Sequence, residues 1–476
     1  MTLEIESAGN ASPSAAGRGR LLVVLGALSA FGPVTTDVYL PSLPQAAAAL
    51  HTTPSGIQSS LTACMFGLAA GQLVIGPLSD SRGRRRPLVI AMVVFVVASV
   101  LCACAPNIVV LDLFRLLQGG AGGAAGAICF AIVRDLYEGV AAARAFSILM
   151  AVFGVAPIVS PAVGGQLLRV TDWRGVFLVL AGLGLVFLWC AYAWVGETLP
   201  VARRAKGGLV ARAAVLRRLA IDPCFAGFAL AGGFTFAALF AYISASPFVF
   251  EGMYHVSPQL FAVFFAINAT GVLLANTLNA RLLRRFSPHR LLDVGLAGVA
   301  VGAAGVLIVV LAAQHRPYLY ALVVPLFLMV SSTGVARPNA TALALDRHPD
   351  TAGSAAALLG LIQFALGGIA APLTGLDRHS AVPLGVTVVA AASLAVLART
   401  VARRETRDTT PSAAVSTGRS DNEYKVISRG QRSYWASNDD RLSNGDPASN
   451  VDRNRQPGRR PEGQARRRGG RGIRWH

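Results

Sequence analysis

Two ionisable side chains stand inside apolar stretches of this chain, and their types point to proton chemistry. Asp37 lies towards the end of the first stretch, and Arg115 lies a few residues into the fourth. Apolar surroundings disfavour an ionised carboxylate, so such an acid is suited to exchange a proton against a second solute. A guanidinium keeps its proton and needs an acceptor, which Gln118, one helical turn further on, is placed to supply. We expect Asp37 to contact a proton or a solute and Gln118 to satisfy part of Arg115; a helix-end acid and a snorkelling arginine are the alternatives.

The stretches around these residues are long enough to cross a membrane. The 476-residue chain is 54% hydrophobic and 14% charged, with a mean hydropathy of +0.54, which is too apolar for an ordinary soluble domain. A bilayer core needs about 20 apolar residues per helix. The sequence predicts an all-α integral membrane protein with twelve transmembrane helices, at approximately 21–43, 57–78, 87–105, 108–131, 145–168, 174–196, 225–249, 257–280, 291–313, 317–336, 352–375 and 381–398.

The twelve stretches form two sets of six, related by a faint internal repeat. Positions 200 residues apart correspond: Leu78, Arg84 and Arg85 match Leu278, Arg284 and Arg285, whereas Asp80 meets Ala280. Parallel repeats of this kind place a solute site between the halves, near the membrane midplane. The predicted units are an N-terminal tail at 1–20, a six-helix half at 21–196, a basic central loop at 197–222, a second six-helix half at 223–398 and a basic, disordered tail at 399–476.

Arginines alternate between the joints, and this alternation predicts the orientation. Cationic short loops stay in the cytoplasm, and arginine-rich joints follow the second, sixth and eighth helices. We therefore expect both termini in the cytoplasm. The net charge of +19 combines these joints with the tail, for which we expect contact with membrane lipid rather than nucleic acid.

The joint between the second and third helices carries a dense motif, Gly76-Pro-Leu-Ser-Asp80-Ser-Arg-Gly83-Arg84-Arg85-Arg86. An acid at this end of a helix can pair with a cation or with a helix N-terminus, where the macrodipole favours negative charge. The motif resembles the signature loop of the major facilitator superfamily of transporters. That resemblance implies that Asp80, Gly83 and Arg84 belong to a gating latch that breaks as the two halves rock. For Arg85 a role in topology alone is equally open.

Further motifs along residues 20–398 resemble one branch of this superfamily, the drug:proton antiporters of the bicyclomycin and chloramphenicol resistance family. The resemblance implies that Asp37 and Arg115 couple cargo to protons. It also implies an antiporter hinge in the fifth helix, for which ordinary small-residue packing is the alternative. The hinge residues are Gly154, Pro157, Pro161, Gly164 and Gly165. The motifs that carry the resemblance are Thr36-Asp37-Val-Tyr39-Leu40-Pro41, Arg115-Leu-Leu-Gln118-Gly119, Val133-Arg134-Asp135, the hinge run, Asp172-Trp173-Arg174 and Glu197-Thr198-Leu199-Pro200.

The proton gradient is the expected energy source, and no cofactor is predicted. Lys206 and Lys425 are the only lysines and neither follows a glycine, so the chain has no P-loop. It has no metalloprotease or esterase motif either, and we predict neither an enzyme nor a metal site. The resemblance implies a monomeric exporter of small amphipathic drugs, of the chloramphenicol or bicyclomycin type, in a bacterial inner membrane. A proton-coupled uptake symporter or facilitative permease, and a membrane sensor or scaffold that works through its tail, are the alternatives.

Overall fold

The structure is a computed structural model that describes residues 15–204, 209–312, 319–348, 351–377 and 379–408. Every regular element in these residues is a helix. Residues 1–14 and 409–476 make up most of the two predicted tails and lie outside the described part. The predicted disorder and lipid contact of the C-terminal tail therefore stay predictions.

The first half of the chain contains eight α-helices, and a short 3₁₀ turn at Leu40–Ser42 separates the second from the third. The eight helices are α1 (Ala15–Ser29), α2 (Phe31–Asp37), α3 (Leu43–Ala49), α4 (Pro54–Arg82), α5 (Arg85–Ala103), α6 (Ile108–Leu136), α7 (Gly139–Leu167) and α8 (Trp173–Trp194).

The second half contains seven α-helices, and a π-helical turn at Phe248–Met253 extends the second of them. These helices are α9 (Leu209–Ile221), α10 (Pro223–Pro247), α11 (Pro258–Leu282), α12 (Pro288–Ala312), α13 (Leu319–Asp346), α14 (Ala352–Leu373) and α15 (Val382–Asp408). Within the described residues, eleven helices are long and apolar enough to cross a membrane, or twelve if the bent pair at the start counts as one span. The prediction of an all-α membrane protein is confirmed.

Capping residues explain where several membrane helices begin. Thr53, Asn107 and Asp172 accept hydrogen bonds from backbone N–H groups three residues later, at 2.9, 3.0 and 3.0 Å. These bonds satisfy donors that a helix leaves unpaired in its first turn. They fix the starts of α4, α6 and α8 at one end of the bundle.

The first membrane span is broken next to Pro33. The segments Gly19–Ser29 and Phe31–Ala49 meet at an angle of 45°. Proline has no N–H to donate to the carbonyl four residues earlier, and its ring crowds that oxygen, so the helix kinks there. The kink leaves Asp37 at the end of a short, separate helix.

Several boundaries differ from those predicted. α1 begins at residue 15 instead of 21, α13 continues to residue 346 instead of 336, α15 continues to residue 408 instead of 398, and the predicted central loop contains α9. The segments 209–221 and 399–408 contain no glycine or proline; the first is rich in Ala, Leu and Arg and the second in Arg, and these are strong helix formers. The apolar run sets the length of the membrane span, but the helix itself continues past the membrane.

Small residues let the helices of the first half approach closely. A Cβ atom added at Gly119 of α6 would lie 2.9 Å from the carbonyl carbon of Cys64 on α4. The glycine run of α6 therefore serves close packing. The halves also repeat in register, because α4 ends at Arg82 and α11 ends at Leu282, 200 residues later.

Candidate functional site

Arg115 is completely buried in α6 and is the centre of a polar cluster inside the first half. Its Nη1 donates to Oε1 of Gln118 at 2.7 Å and to the carbonyl oxygen of Thr35 at 3.4 Å. Its guanidinium carbon lies 5.0 Å from the ring centre of Tyr39 and 5.6 Å from that of Phe177. Nε and Nη2 have no acceptor among the described residues. These two donors share one edge of the guanidinium, the Nε/Nη2 edge, which can bind a carboxylate through two hydrogen bonds.

Gln118 is held in place from its other side. Its Nε2 donates to Oγ of Ser99 at 2.7 Å, and Ser99 in turn donates to the carbonyl oxygen of Phe95 at 2.7 Å. This chain fixes the amide so that its oxygen faces Arg115. The predicted pairing of Arg115 with Gln118 at one-turn spacing is therefore present.

Asp37 is buried, with 6% of its surface exposed, and ends α2. It forms no hydrogen bond or ion pair with any residue in the described part of the chain, which is unusual for a buried acid. Arg115 reaches the same short helix two residues earlier, at the carbonyl of Thr35. The structure thus brings Arg115 to the segment that carries Asp37 but forms no direct bond between them.

Asp112 is a further acid in this cluster and was not assigned a role from the sequence. It precedes Arg115 by one helical turn, and its Oδ2 accepts a hydrogen bond from Ser59 of α4 at 2.6 Å. Its Oδ1 is buried and has no partner among the described residues. Asp112 could have been recognised from the sequence, because an acid three residues before an arginine in one apolar stretch lies on the same helix face.

Arg84 holds together the joint between α4 and α5. Its Nη1 donates to Oδ1 of Asp80 at 2.6 Å and to Oγ of Ser79 at 2.7 Å, and its Nε donates to Oδ2 of Asp135 at 2.8 Å. All these residues belong to the first half of the chain, so in this conformation the bonds join elements of one half. Asp80, Gly83 and Arg84 are indeed neighbours, and Asp135 at the end of α6 joins them.

Glu197 binds the same joint from the segment that follows α8. Its Oε1 accepts the backbone N–H of Arg84 at 2.8 Å and that of Leu199 at 3.1 Å. Gly83 has a φ of 92°, and a Cβ added there would lie 2.7 Å from the carboxyl carbon of Glu197. Glycine is therefore required at position 83 both by backbone conformation and by space. Asp135 and Glu197 belong to motifs noted in the sequence, but the sequence alone did not show that they bind the joint between α4 and α5.

The five predicted hinge residues lie on α7, which stays one continuous helix through both prolines. A Cβ at Gly154 would lie 3.8 Å from Leu273 of α11, and one at Gly165 would lie 3.2 Å from the carbonyl oxygen of Pro258. Gly164 instead packs against the first span, 3.3 Å from Pro41 by the same measure. Two of the glycines thus line the seam between the halves, and a third lines the seam with the first span.

A cavity of about 960 Å³ separates the two halves. One wall belongs to the first half, from Pro33 at the kink to Asp80, Arg84 and Arg134, and the other belongs mainly to α14. We call the end of the bundle that carries these arginines the basic end. Asp37 lies one helical turn beyond Pro33 on the same face of α2, and Pro33 lines the cavity.

The halves meet at the end opposite to the basic end. Thr62 donates to the carbonyl oxygen of Gly368 at 2.6 Å, and Ser55 donates to that of Pro372 at 2.8 Å. Gln58 donates to Thr374 at 3.1 Å and to the carbonyl oxygen of Ser244 at 2.9 Å. Gln259 of the second half also donates to the carbonyl oxygen of Gly165 at this end, at 3.3 Å. The arrangement is closed there and has its cavity at the basic end.

Comparison with known proteins identifies the class of this membrane protein. The family model of the Major Facilitator Superfamily matches residues 23–372, and the chain belongs to that superfamily of transporters. It is a transporter and not an enzyme. The solved structure of a D-xylose-proton symporter has a TM-score of 0.64 at 16% identity and covers 79% of this chain and 97% of the symporter, which supports the fold alone.

The relatives by sequence include proteins named for drug resistance. An uncharacterized MFS-type transporter of Bacillus subtilis, YdgK, is 36% identical over 81% of this chain and 96% of its own length. A bicyclomycin resistance protein homolog of Haemophilus influenzae is 28% identical over 79% of this chain and 94% of its own. A chloramphenicol resistance protein of Pseudomonas aeruginosa is 29% identical over 70% of this chain and 77% of its own length. These names support the resemblance to the bicyclomycin and chloramphenicol resistance family within the superfamily.

Proposed function

We propose that this protein is a proton-driven exporter of small amphipathic drugs, with chloramphenicol- or bicyclomycin-type compounds as cargo. The observation that carries the proposal is a buried carboxyl, Asp37, without a partner in the described part of the chain, beside the buried and half-satisfied Arg115. The names of two relatives supply the cargo class. We place the protein in the bacterial inner membrane, where it works as a monomer without a cofactor.

Proton coupling follows from what each form of Asp37 needs. The protonated form is neutral and tolerates its apolar surroundings without a charged partner. The ionised form needs strong donors, and the open Nε/Nη2 edge of Arg115 offers two. Thr35 already accepts from Arg115 and lies two residues from Asp37, so a small movement of α2 brings the charges together. The kink at the start of α2 permits that movement.

The positive-inside rule places the basic end, and with it both termini, in the cytoplasm. The described conformation is then the one that loads drug from the cytoplasm. Export requires the halves to rock along the α7–α11 seam at Gly154 and Gly165, which closes the basic end and breaks the contacts of Gln58. Asp80, Gly83 and Arg84 keep the α4–α5 joint rigid, and we retain the proposal that they form part of a latch between states.

Inside-out membrane vesicles test this function directly. Vesicles prepared from a drug-sensitive bacterium that expresses the chain are energised so that protons accumulate inside, and uptake of labelled chloramphenicol is followed. We expect drug accumulation that collapses when a protonophore is added, because antiport draws drug in as protons leave. Vesicles from cells without the gene give the background.

Two results would contradict the proposal. One is the absence of protonophore-sensitive uptake of both chloramphenicol and bicyclomycin. The other is accumulation only in right-side-out vesicles with an inward proton gradient, which is the behaviour of an uptake symporter.

A further inference from the structure

The second half carries its own membrane-embedded arginine, which the function above does not use. Arg337 lies on α13, nine residues or about 13 Å before the helix ends. Its guanidinium carbon lies 4.8 Å from the ring centre of Phe236 on α10, and its Nη2 donates to Oε1 of Gln363 on α14 at 3.2 Å. It forms no ion pair with any residue in the described part of the chain.

The donors of Arg337 are incompletely used. Nε is buried and has no acceptor among the described residues, and Nη2 on the same edge has only the neutral amide of Gln363. An arginine cannot discharge itself by losing a proton, and a membrane-embedded cation without an anionic partner is costly. The Nε/Nη2 edge of Arg337 is therefore suited to an incoming carboxylate, which would replace the Gln363 oxygen and occupy both donors.

This arginine is connected to the cavity through two rings, because it lies over Phe236, which packs against Phe364 of the cavity wall, whereas Arg115 is fully buried. Arg337 and Gln363 are both partly exposed, and Arg115 is 0% exposed. Phe364, the residue after Gln363, lines the cavity, and its ring meets Phe236 edge-on with the centres 5.7 Å apart. A planar ring bound in the cavity at Phe364 can therefore direct a substituent towards Arg337.

The charges of the cavity wall favour the same class of ligand. Among the described residues, the lining includes Arg84, Arg134 and one acid, Asp80, and Arg84 is paired with both Asp80 and Asp135. A cationic ligand therefore finds no unpaired carboxylate among these residues, and Arg134 remains to attract an anion. Complementary charge improves both selectivity and the rate of capture.

We propose that the cavity also accepts aromatic compounds that carry a carboxylate and prefers them to their uncharged esters, with Arg337 and Gln363 as the carboxylate site and Phe364 and Phe236 as the ring contacts. The proposal rests on the proposed drug export, since it adds aryl carboxylates to the uncharged drugs as a second class of cargo. It makes Arg337 a specificity residue of the second half, distinct from the proton-coupling cluster of the first.

Binding to the full chain in lipid nanodiscs, without any gradient, tests the site. The probes are nalidixate, an aryl carboxylate, and its methyl ester, compared by equilibrium dialysis at neutral pH. We expect the wild type to bind nalidixate at least tenfold more tightly than the ester. Arg337→Gln removes this preference, and Arg337→Lys keeps part of it because an ammonium binds as a single point charge.

A second variant guards against misfolding of the first. Gln363→Glu leaves Arg337 in place but supplies a built-in carboxylate, so it too should abolish the preference for nalidixate. Arg284→Gln, which removes an exposed arginine between α11 and α12, is the matched control and should keep it. Two results would overturn the proposal. One is a preference for nalidixate that is equal in the wild type, Arg337→Gln and Gln363→Glu, and the other is no preference in the wild type. The binding assay needs no transport, so it tests the carboxylate site separately from drug export. A carboxylate preference without drug efflux would refute export and support the site. Drug efflux without a carboxylate preference would support export and refute the site.

Discussion

Arg84 donates from Nε to Oδ2 of Asp135 across 2.8 Å, and this bond ties the α4–α5 joint to the far end of α6. Only 3% of the Arg84 side chain and 14% of the Asp135 side chain are exposed. The pair is buried enough for its loss to leave an uncompensated charge, unlike an ion pair on an open surface. The joint is therefore a structural centre of the first half, whatever part it plays in gating.

Replacing Arg84 by alanine should destabilise the protein markedly. The substitution leaves Asp80 and Asp135 without their shared donor, and loss of one partner of a buried pair costs about 3 kcal/mol or more. Thermal unfolding of the purified protein in detergent should show a midpoint several degrees below that of the wild type. Arg86→Ala removes an exposed arginine of the same motif and should leave the midpoint unchanged; equal midpoints for both variants would refute this account.

Alanine at position 83 should be more costly than alanine at position 139, although both glycines have a positive φ. Gly83 has φ 92° and ψ 171°, a region that is essentially restricted to glycine, and its Cβ would meet the Glu197 carboxyl. Gly139 has φ 54°, and a Cβ there meets nothing within 4 Å. We expect a loss of about 2–3 kcal/mol for Gly83→Ala and about 1 kcal/mol for Gly139→Ala. Chemical denaturation of the two variants measures the difference, and a reversed order would contradict the geometry.

Glu197 should make the stability of the joint depend on pH. Partial burial opposes ionisation, but the backbone N–H groups of Arg84, Leu199 and Arg85 and the charge of Arg204 outweigh it, so the pKa of Glu197 lies below its ordinary 4.5. A lowered pKa in the folded state contributes stability above pH 4.5, and this contribution disappears as the pH falls through the lowered value.

Melting curves of the wild type and Glu197→Gln test this effect. At neutral pH the variant should unfold at a lower temperature, and the gap should narrow as the pH drops below 4.5. A gap that stays constant from pH 7 to pH 3.5 would mean that ionisation of Glu197 does not stabilise the joint.

The sequence was sufficient for features that depend on local pattern. Apolar runs located the membrane helices because a bilayer imposes a minimum length. Arg115 and Gln118 could be paired because the helical period places them on one face. Each of these features is decided by residues within a few turns of one another.

Features that depend on long-range packing could not be predicted in the same way. Asp135 and Glu197 bind Arg84 from 51 and 113 residues away along the chain. Ser59 reaches Asp112 only because α4 and α6 are in close contact. Which end of the bundle is closed depends on contacts such as that of Thr62 with Gly368. Because one sequence adopts several conformations during transport, it does not specify which end is closed.

Asp37→Asn and Arg115→Ala should each abolish drug efflux while leaving membrane abundance unchanged. The amide cannot release a proton, and without Arg115 the ionised Asp37 has no donor to move towards. Protonophore-sensitive efflux of labelled chloramphenicol from cells, with immunoblots of the membranes, measures both quantities. Asp377→Asn, which alters an exposed acid, is the matched control; wild-type efflux in either test variant removes that residue from the mechanism.

A reversible cross-link between α4 and α14 should stop transport by holding the end opposite to the basic end closed. Thr62 and Gly368 are suitable sites because the Thr62 hydroxyl donates to the Gly368 carbonyl at 2.6 Å. In a Cys104→Ser background, which removes the one exposed native cysteine, the pair Thr62→Cys and Gly368→Cys is oxidised and then reduced. Chloramphenicol efflux should fall to background on oxidation and recover with reductant, because export requires this end to open. The single variant Thr62→Cys should keep transporting under oxidation, and full efflux through a quantitatively cross-linked protein would show that these helices do not separate during transport.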